Sequence, residues 1–205
     1  SNIMQIKFKD NLSCSYNFSW FREKKLSNPW MPKYSKSEAF ALAKEKLIKS
    51  GCSEENTKGI SDGIIDAEFS GIKSHGFHYL PIYCNHLKIG KINGVSQPSL
   101  EKISNSSIKV NADNGFAHSA INKGLPLLFD MCSKEGISSM SIFNSYNCGV
   151  LGYHTKRIAE KGYLGLGFTN APASIAPLGG VKAVVGTNPF SVAAPHKGNA
   201  SIIID

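Results

Sequence analysis

The residues best suited to chemistry lie in one short stretch, Gly71-Ile72-Lys73-Ser74-His75-Gly76-Phe77-His78-Tyr79-Leu80-Pro81. It sets a hydroxyl beside an imidazole, between glycines that let backbone come close to a ligand. An imidazole is the side chain best matched to moving a proton near neutral pH. Ser74 and His75 therefore read as a candidate proton-transfer pair. A lone Ser-His-Gly is more often a solvated surface turn, because short motifs match by chance. Three further polar loops can build a site: Asn144–Gly149, Asn170–Gly180 and Gly186–Pro189. Long polar loops on a rigid scaffold are where sites usually sit.

Several chemistries lack their signatures. The five cysteines are scattered and form no CxxC pair, so neither a zinc site nor a disulfide framework is indicated and no metal is expected. No GxSxG elbow supports a Ser/His/Asp hydrolase. Gly162, Gly165 and Gly167 only loosely echo a Rossmann fingerprint, and they fall in a strand rather than opening a helix. His86 reads as a solvated helix position, and His154 and His196 as surface residues.

The elements that must position the loops are legible from periodicity. Ser35 and Glu38 have capping-box spacing, and Phe40, Ala43, Leu47 and Ile48 recur at helical intervals up to Gly51. Ser53 opens a second helix with Glu54 and Glu55 in its first turn, and the helix ends near Ser70-Gly71, delivering the Ser74-His75 loop. A third helix is expected from about Pro81 to Gly90. Residues 107–112 read as a strand, 117–135 as a helix with a kink at Pro126, and 137–143 as a strand. Residues 152–161 form a short helix and 163–168 a strand. Short strands follow at 183–185, 190–194 and 201–204. The expected class is α/β in the mixed α+β sense.

Residues 1–34 hold Trp20, Trp30, Phe18 and Phe21 without a clear period and read as an irregular extension. Residues 35–150 read as a helical, substrate-side domain carrying the Ser-His loop. Residues 151–205 read as the first part of a second domain, and the stop at Asp205, directly after an apolar strand, suggests a truncated or divided protein. The 41% hydrophobic content suits a soluble globular chain, and no stretch is long and apolar enough for a membrane span. The net charge of +8 is spread, without a basic run interleaved with aromatics, so nucleic acid is not an expected partner. Odd, unpaired cysteines fit a reducing, cytoplasmic setting.

The loops taken together resemble the malate/L-lactate dehydrogenase family. The likeness runs colinearly over about residues 35–205. It passes through Asp66-Ala67-Glu68, Gly71–Gly76, Leu80–Tyr83, Leu87–Gly90, Asp113-Asn114-Gly115, Asn144-Ser145, Cys148-Gly149, Gly152-Tyr153, Pro177–Gly180 and Gly186–Pro189. The resemblance implies a non-Rossmann, sulfolactate-dehydrogenase-like fold with a mainly antiparallel cofactor sheet. It implies hydride exchange between NAD or NADP and a small 2-hydroxy or 2-oxo acid, or reduction of a cyclic imino acid. His75 would carry the proton and Ser74 would orient it. Asn170, Ala171, Gly180, Thr187, Asn188 and Asp205 would hold the cofactor. The family is dimeric, so a homodimer is expected. Two departures stand out. Tyr79 occupies a position where the family often has an arginine for the substrate carboxylate, leaving Lys73, His78 or His118 as substitutes. Asn147 replaces a histidine that acts as proton acceptor in some members, and an amide does not titrate usefully. These departures keep open a truncated, non-catalytic relative that serves as an interaction or dimerisation module.

Overall fold

A computed structural model describes residues 3–7, 13–17, 34–196 and 202–205. The chain divides into two compact units, Ser1–Asn147 and Cys148–Asp205.

In the first unit, β1 (Ile3–Lys7) pairs antiparallel with β2 (Ser13–Asn17), so part of the stretch expected to be irregular is a hairpin. Its order comes from the backbone ladder, which leaves little trace in so short a side-chain pattern. The aromatic residues Phe18, Trp20, Phe21 and Trp30 lie outside the described residues. α1 (Lys36–Lys49) opens with the expected reciprocal cap: Glu38 N donates to Ser35 Oγ at 3.3 Å, and Ser35 N donates to Glu38 Oε2 at 2.7 Å. Gly51, at φ +101°, ends it in a conformation that favours glycine. α2 (Glu54–Phe69) is capped by Ser53, which accepts from Asn56 N. α3 (Leu80–Lys88) carries Leu80 and Pro81 in its first turn. The three helices bury Ala43, Leu47, Ile60, Ile64, Tyr83 and Leu87 together. Full burial of such aliphatic side chains contributes about 1.5–3 kcal/mol each.

α4 (Ala117–Glu135) continues across Pro126 and stops at Gly136, φ +78°. It links β4 (Ser107–Asn111) to β5 (Ser139–Phe143), which pair in parallel. β3 (Ser99–Lys102) adds antiparallel to β4. This strand was not legible in the sequence, since one leucine among polar residues shows no alternation. Gly124 lets α4 lie close on the sheet; a Cβ there would stand 2.2 Å from Met140 Sδ.

In the second unit, α5 (Leu151–Ala159) covers one face of the sheet β6-β7-β8, formed by β6 (Gly165–Phe168), β7 (Phe190–Ala194) and β8 (Ile202–Ile204). Both pairings are antiparallel, as the non-Rossmann expectation required. Gly165 and Gly167 admit Ile158, Thr155 and Leu151 of α5, and Thr155 Oγ1 meets Ser191 Oγ at 2.8 Å in the buried layer. The opposite face leaves Leu166, Phe168, Phe190 and Ile204 exposed. The strand expected at 183–185 reduces to one bridge, Ile175 to Val185. It is the return arm of a tight hairpin closed at Pro177–Gly180, where Gly180 N donates to Pro177 O at 2.8 Å.

Candidate active site

Ser74 and His75 sit on a single 3-10 turn, Lys73–His75, between the end of α2 and the start of α3. Gly71, at φ +78°, turns the chain out of α2. The turn is then pinned from below. Glu68, in the last turn of α2, is 2% exposed, and its Oε2 accepts the Phe77 N–H at 2.9 Å. Gly76 presses on the same carboxylate, so that a Cβ there would lie 2.2 Å from Oε2. Glycine at 76 is thus required by close approach, its φ being −85°. The result is a half-buried imidazole on a fixed turn, with Ser74 Oγ 3.0 Å from His75 Nδ1. When Nδ1–H donates to Oγ, Nε2 is left as a proton acceptor.

A stripe of rings runs on from His75. Its ring is parallel to Tyr79 within 7° at 6.3 Å between centroids. Tyr79 meets Tyr83 edge-on at 4.8 Å, and Tyr83 meets Phe116 and Tyr146 edge-on at 5.4 and 6.1 Å. The Tyr83 hydroxyl donates to Asn147 Oδ1 at 3.1 Å. In the first unit, Tyr79 and Asn147 therefore meet at Tyr83, and Tyr79 in turn faces His75. His118 goes elsewhere: it is 1% exposed and fills the space left by Gly59 and Gly63 where α4 crosses α2. Lys73 and His78 stay on the exposed surface of the turn.

Glu68, Tyr146 and His86 join this neighbourhood although sequence reasoning gave them no role. The signal for the helical part was present in the 79, 83, 86 spacing, which sets three rings along one helix face. His86 is half-buried against the Tyr146 ring rather than solvated, with Nδ1 in contact with the Tyr146 hydroxyl.

In the second unit, the Asn170-Ala171 segment is clipped to the Gly186–Pro189 turn. Ala171 N donates to Asn188 Oδ1 at 2.9 Å, and a Cβ on Gly186 would reach 2.2 Å from Ala171 O. Asn170, Thr187 and Asn188 are exposed here, and Gly180 and Lys182 lie on the hairpin. The exposed amide of Asn170, hydroxyl of Thr187 and ammonium of Lys182 are groups of the kind that can donate to a ribose diphosphate. Asp205 accepts Gly152 N at 2.8 Å in the first turn of α5, a favourable place for a carboxylate. Among the described residues no group of three or more His, Cys, Asp or Glu is placed to hold a metal, and no helix is long and apolar enough to cross a membrane.

His154, expected on the surface, is 6% exposed. α5 turns its 151, 154, 155 and 159 positions onto the sheet, and in nine residues a histidine on that face reads like a polar one. His154 Nε2 lies 2.8 Å from Cys148 O. Burial chiefly pushes its imidazole down, to about 4. The unfolded chain takes up this proton at the ordinary value of 6.5, whereas the folded unit takes it up only near 4. The stability from burying neutral His154 is therefore complete above pH 6.5 and lost as pH falls towards 4. The full loss is about 3 kcal/mol. Urea midpoints across this range should fall in the parent and flatten in His154→Gln; parallel slopes in the two would refute the assignment.

A Ser-His turn on a helical unit and a short antiparallel sheet in place of a doubly wound one define a mixed α+β protein outside the Rossmann class. The chain belongs to the malate/L-lactate dehydrogenase family, whose sequence profile matches residues 34–205. It is 33% identical over 168 residues to malate dehydrogenase from Pyrococcus abyssi, covering 82% of this chain and 46% of that protein. Identity is again 33% over 168 residues with (2R)-3-sulfolactate dehydrogenase (NADP(+)) of Chromohalobacter salexigens, covering 82% and 50%. Among solved structures, delta1-piperideine-2-carboxylate reductase from Pseudomonas syringae superposes with a TM-score of 0.79 at 27% identity, covering 82% of this chain and 51% of that one. The chain spans about half the length of the curated relatives it matches.

Proposed function

We propose that the chain carries the proton-transfer turn and nucleotide-holding loops of an NAD(P)-dependent oxidoreductase that interconverts a small 2-hydroxy acid and its 2-oxo acid. One observation carries this: Ser74 Oγ lies 3.0 Å from His75 Nδ1 on a turn fixed by buried Glu68. The nicotinamide, when bound, supplies hydride exchange at C2. Loss of that hydride requires loss of the hydroxyl proton, which His75 Nε2 accepts in oxidation and returns in reduction. Ser74 holds the imidazole in the tautomer that leaves Nε2 open. Tyr79 and Asn147 offer neutral donors to the substrate carboxylate, supported by their place around Tyr83. Asn170, Ala171, Gly180, Thr187, Asn188 and Asp205 hold NAD or NADP. The described cysteines, Cys52, Cys84, Cys132 and Cys148, are free thiols, which supports a cytoplasmic setting. We propose a homodimer on the family resemblance.

The likeness to the piperideine-2-carboxylate reductase favours a second reading, reduction of a cyclic imino acid. NADH and NADPH oxidation against a panel of 2-oxo acids and cyclic imines tests both. A rate confined to 2-oxo acids supports the first reading and one confined to imines the second. The absence of any rate would favour a non-catalytic relative.

A further inference from the structure

Proton transfer is closed to Asn147, because an amide does not titrate usefully. An amide has instead two unlike ends: an oxygen that only accepts and a nitrogen that only donates, through two hydrogens. Which end a ligand meets depends on what holds the other. In this chain the oxygen is held. The Tyr83 hydroxyl donates to Asn147 Oδ1 at 3.1 Å. Tyr83 is fully buried on α3, and its ring is set edge-on against Tyr79, Phe116 and Tyr146 at 4.8, 5.4 and 6.1 Å. A ring packed on three sides fixes where its hydroxyl stands.

The backbone carrying Asn147 is fixed as well. Asn144, at φ +48°, turns the chain out of β5, and its carbonyl accepts Asn114 N at 2.7 Å. Tyr146 N donates to Gly115 O at 2.8 Å, and the Tyr146 hydroxyl contacts His86 Nδ1. Tyr83 and His86 lie one turn apart on α3 and so hold two successive loop residues, Asn147 and Tyr146. α3 itself starts just after the Ser74-His75 turn, and Tyr79, which precedes it, stacks on His75.

We propose that Tyr83 is a positioning residue that holds the Asn147 amide by its oxygen, so that Asn147 meets a ligand as a donor and selects for an acceptor there, a carboxylate or keto oxygen. The nitrogen has two hydrogens, so it can serve a ligand and a neighbour in the protein together. A flipped amide would put a donor where the buried phenol needs an acceptor for its one hydrogen. Without the Tyr83 hydroxyl that preference is lost. The two ends of the amide have nearly the same shape, so it can then turn over and present its oxygen, which a carboxylate repels. The identity of the ligand rests on the proposed function; the orientation of the amide does not.

The test uses the whole chain with asparagine labelled at its side-chain nitrogen and followed by NMR. The Asn147 signals are identified by their loss in Asn147→Ala. In the parent they should shift when oxamate is added in the presence of NADH or NADPH. Tyr83→Phe keeps the buried ring and removes only the hydroxyl. It should move the Asn147 signals before any ligand is added, abolish their response to oxamate and weaken oxamate binding about tenfold. Asn147→Ala should bind as weakly, and combining it with Tyr83→Phe should cost nothing more, because Tyr83 acts through the amide. Unmoved Asn147 signals in Tyr83→Phe, or a further loss in the combined variant, overturn the proposal. Should Tyr83→Phe fail to fold, Asn147→Asp decides: it keeps an oxygen for the Tyr83 hydroxyl but has no N–H, so it should fold and bind oxamate at least about tenfold more weakly. Parental affinity in Asn147→Asp overturns the proposal. A parent chain that binds no oxamate with either nucleotide overturns the functional reading and the donor role with it. Equal binding by the parent and Tyr83→Phe removes the role of Tyr83 alone and leaves the functional reading standing.

Discussion

His75→Ala is expected to lower turnover about 10²–10⁴-fold, the usual worth of one positioned acid/base group. The expectation rests on what else the site offers. Asn147 is an amide and Ser74 an alcohol, neither of which titrates usefully; Tyr79 is a phenol stacked on His75 itself. On the proposed mechanism these groups cannot replace His75 as the proton carrier for C2–OH. The substitution should leave the fold nearly unchanged, because His75 is half-exposed and lies outside the main core. Surface changes of this kind usually stay within about 0.5 kcal/mol. Ser74→Ala removes only the hydrogen bond that selects the tautomer, and should cost about tenfold. Turnover and thermal melting measured on both variants decide the matter. Near-normal turnover in His75→Ala would remove the residue from the mechanism, and a collapsed melting profile would make it structural.

Much of this site was legible because its framework obeys local rules. The Ser35/Glu38 box, the Ser53 cap and the glycines at 51, 71 and 90 fix helix ends by backbone chemistry that depends on only a few neighbouring residues. Those ends deliver the Ser74-His75 turn. The parts that escaped depend on partners far along the chain. Tyr146 and His86 are sixty residues apart, so their contact has no sequence signature. His154 is buried by a sheet whose strands begin after it, and its helix is too short to separate a buried face from a wet one. β3 exists because β4 offers it a ladder, with Leu100 as its single apolar anchor. His118 looked available as an imidazole, but glycines 59 and 63 of α2 open a slot that it fills.

The same distinction between local and long-range effects makes Glu68 the second large expectation. Glu68→Ala should destabilise the first unit by about 1–3 kcal/mol, because the Phe77 N–H then lies buried without its acceptor. It should also damage the site beyond its effect on folding. The carboxylate is the floor on which Gly76 rests, and Gly76 follows His75 directly. With the floor gone, the turn can settle inward and carry the imidazole with it. A displacement of about 1 Å at a catalytic group can cost 10²-fold. Glu68→Gln separates the two effects. It keeps an oxygen of nearly the same shape for Phe77 N–H but gives up the charge, so the bond weakens by roughly half while the floor remains. The expected order of turnover is parent, then Glu68→Gln, then Glu68→Ala, measured well below the melting temperature of each. Should Glu68→Ala melt early yet turn over normally while folded, Glu68 serves stability alone. The fixed position of His75 would then have to come from its stacking on Tyr79, which Tyr79→Leu would remove.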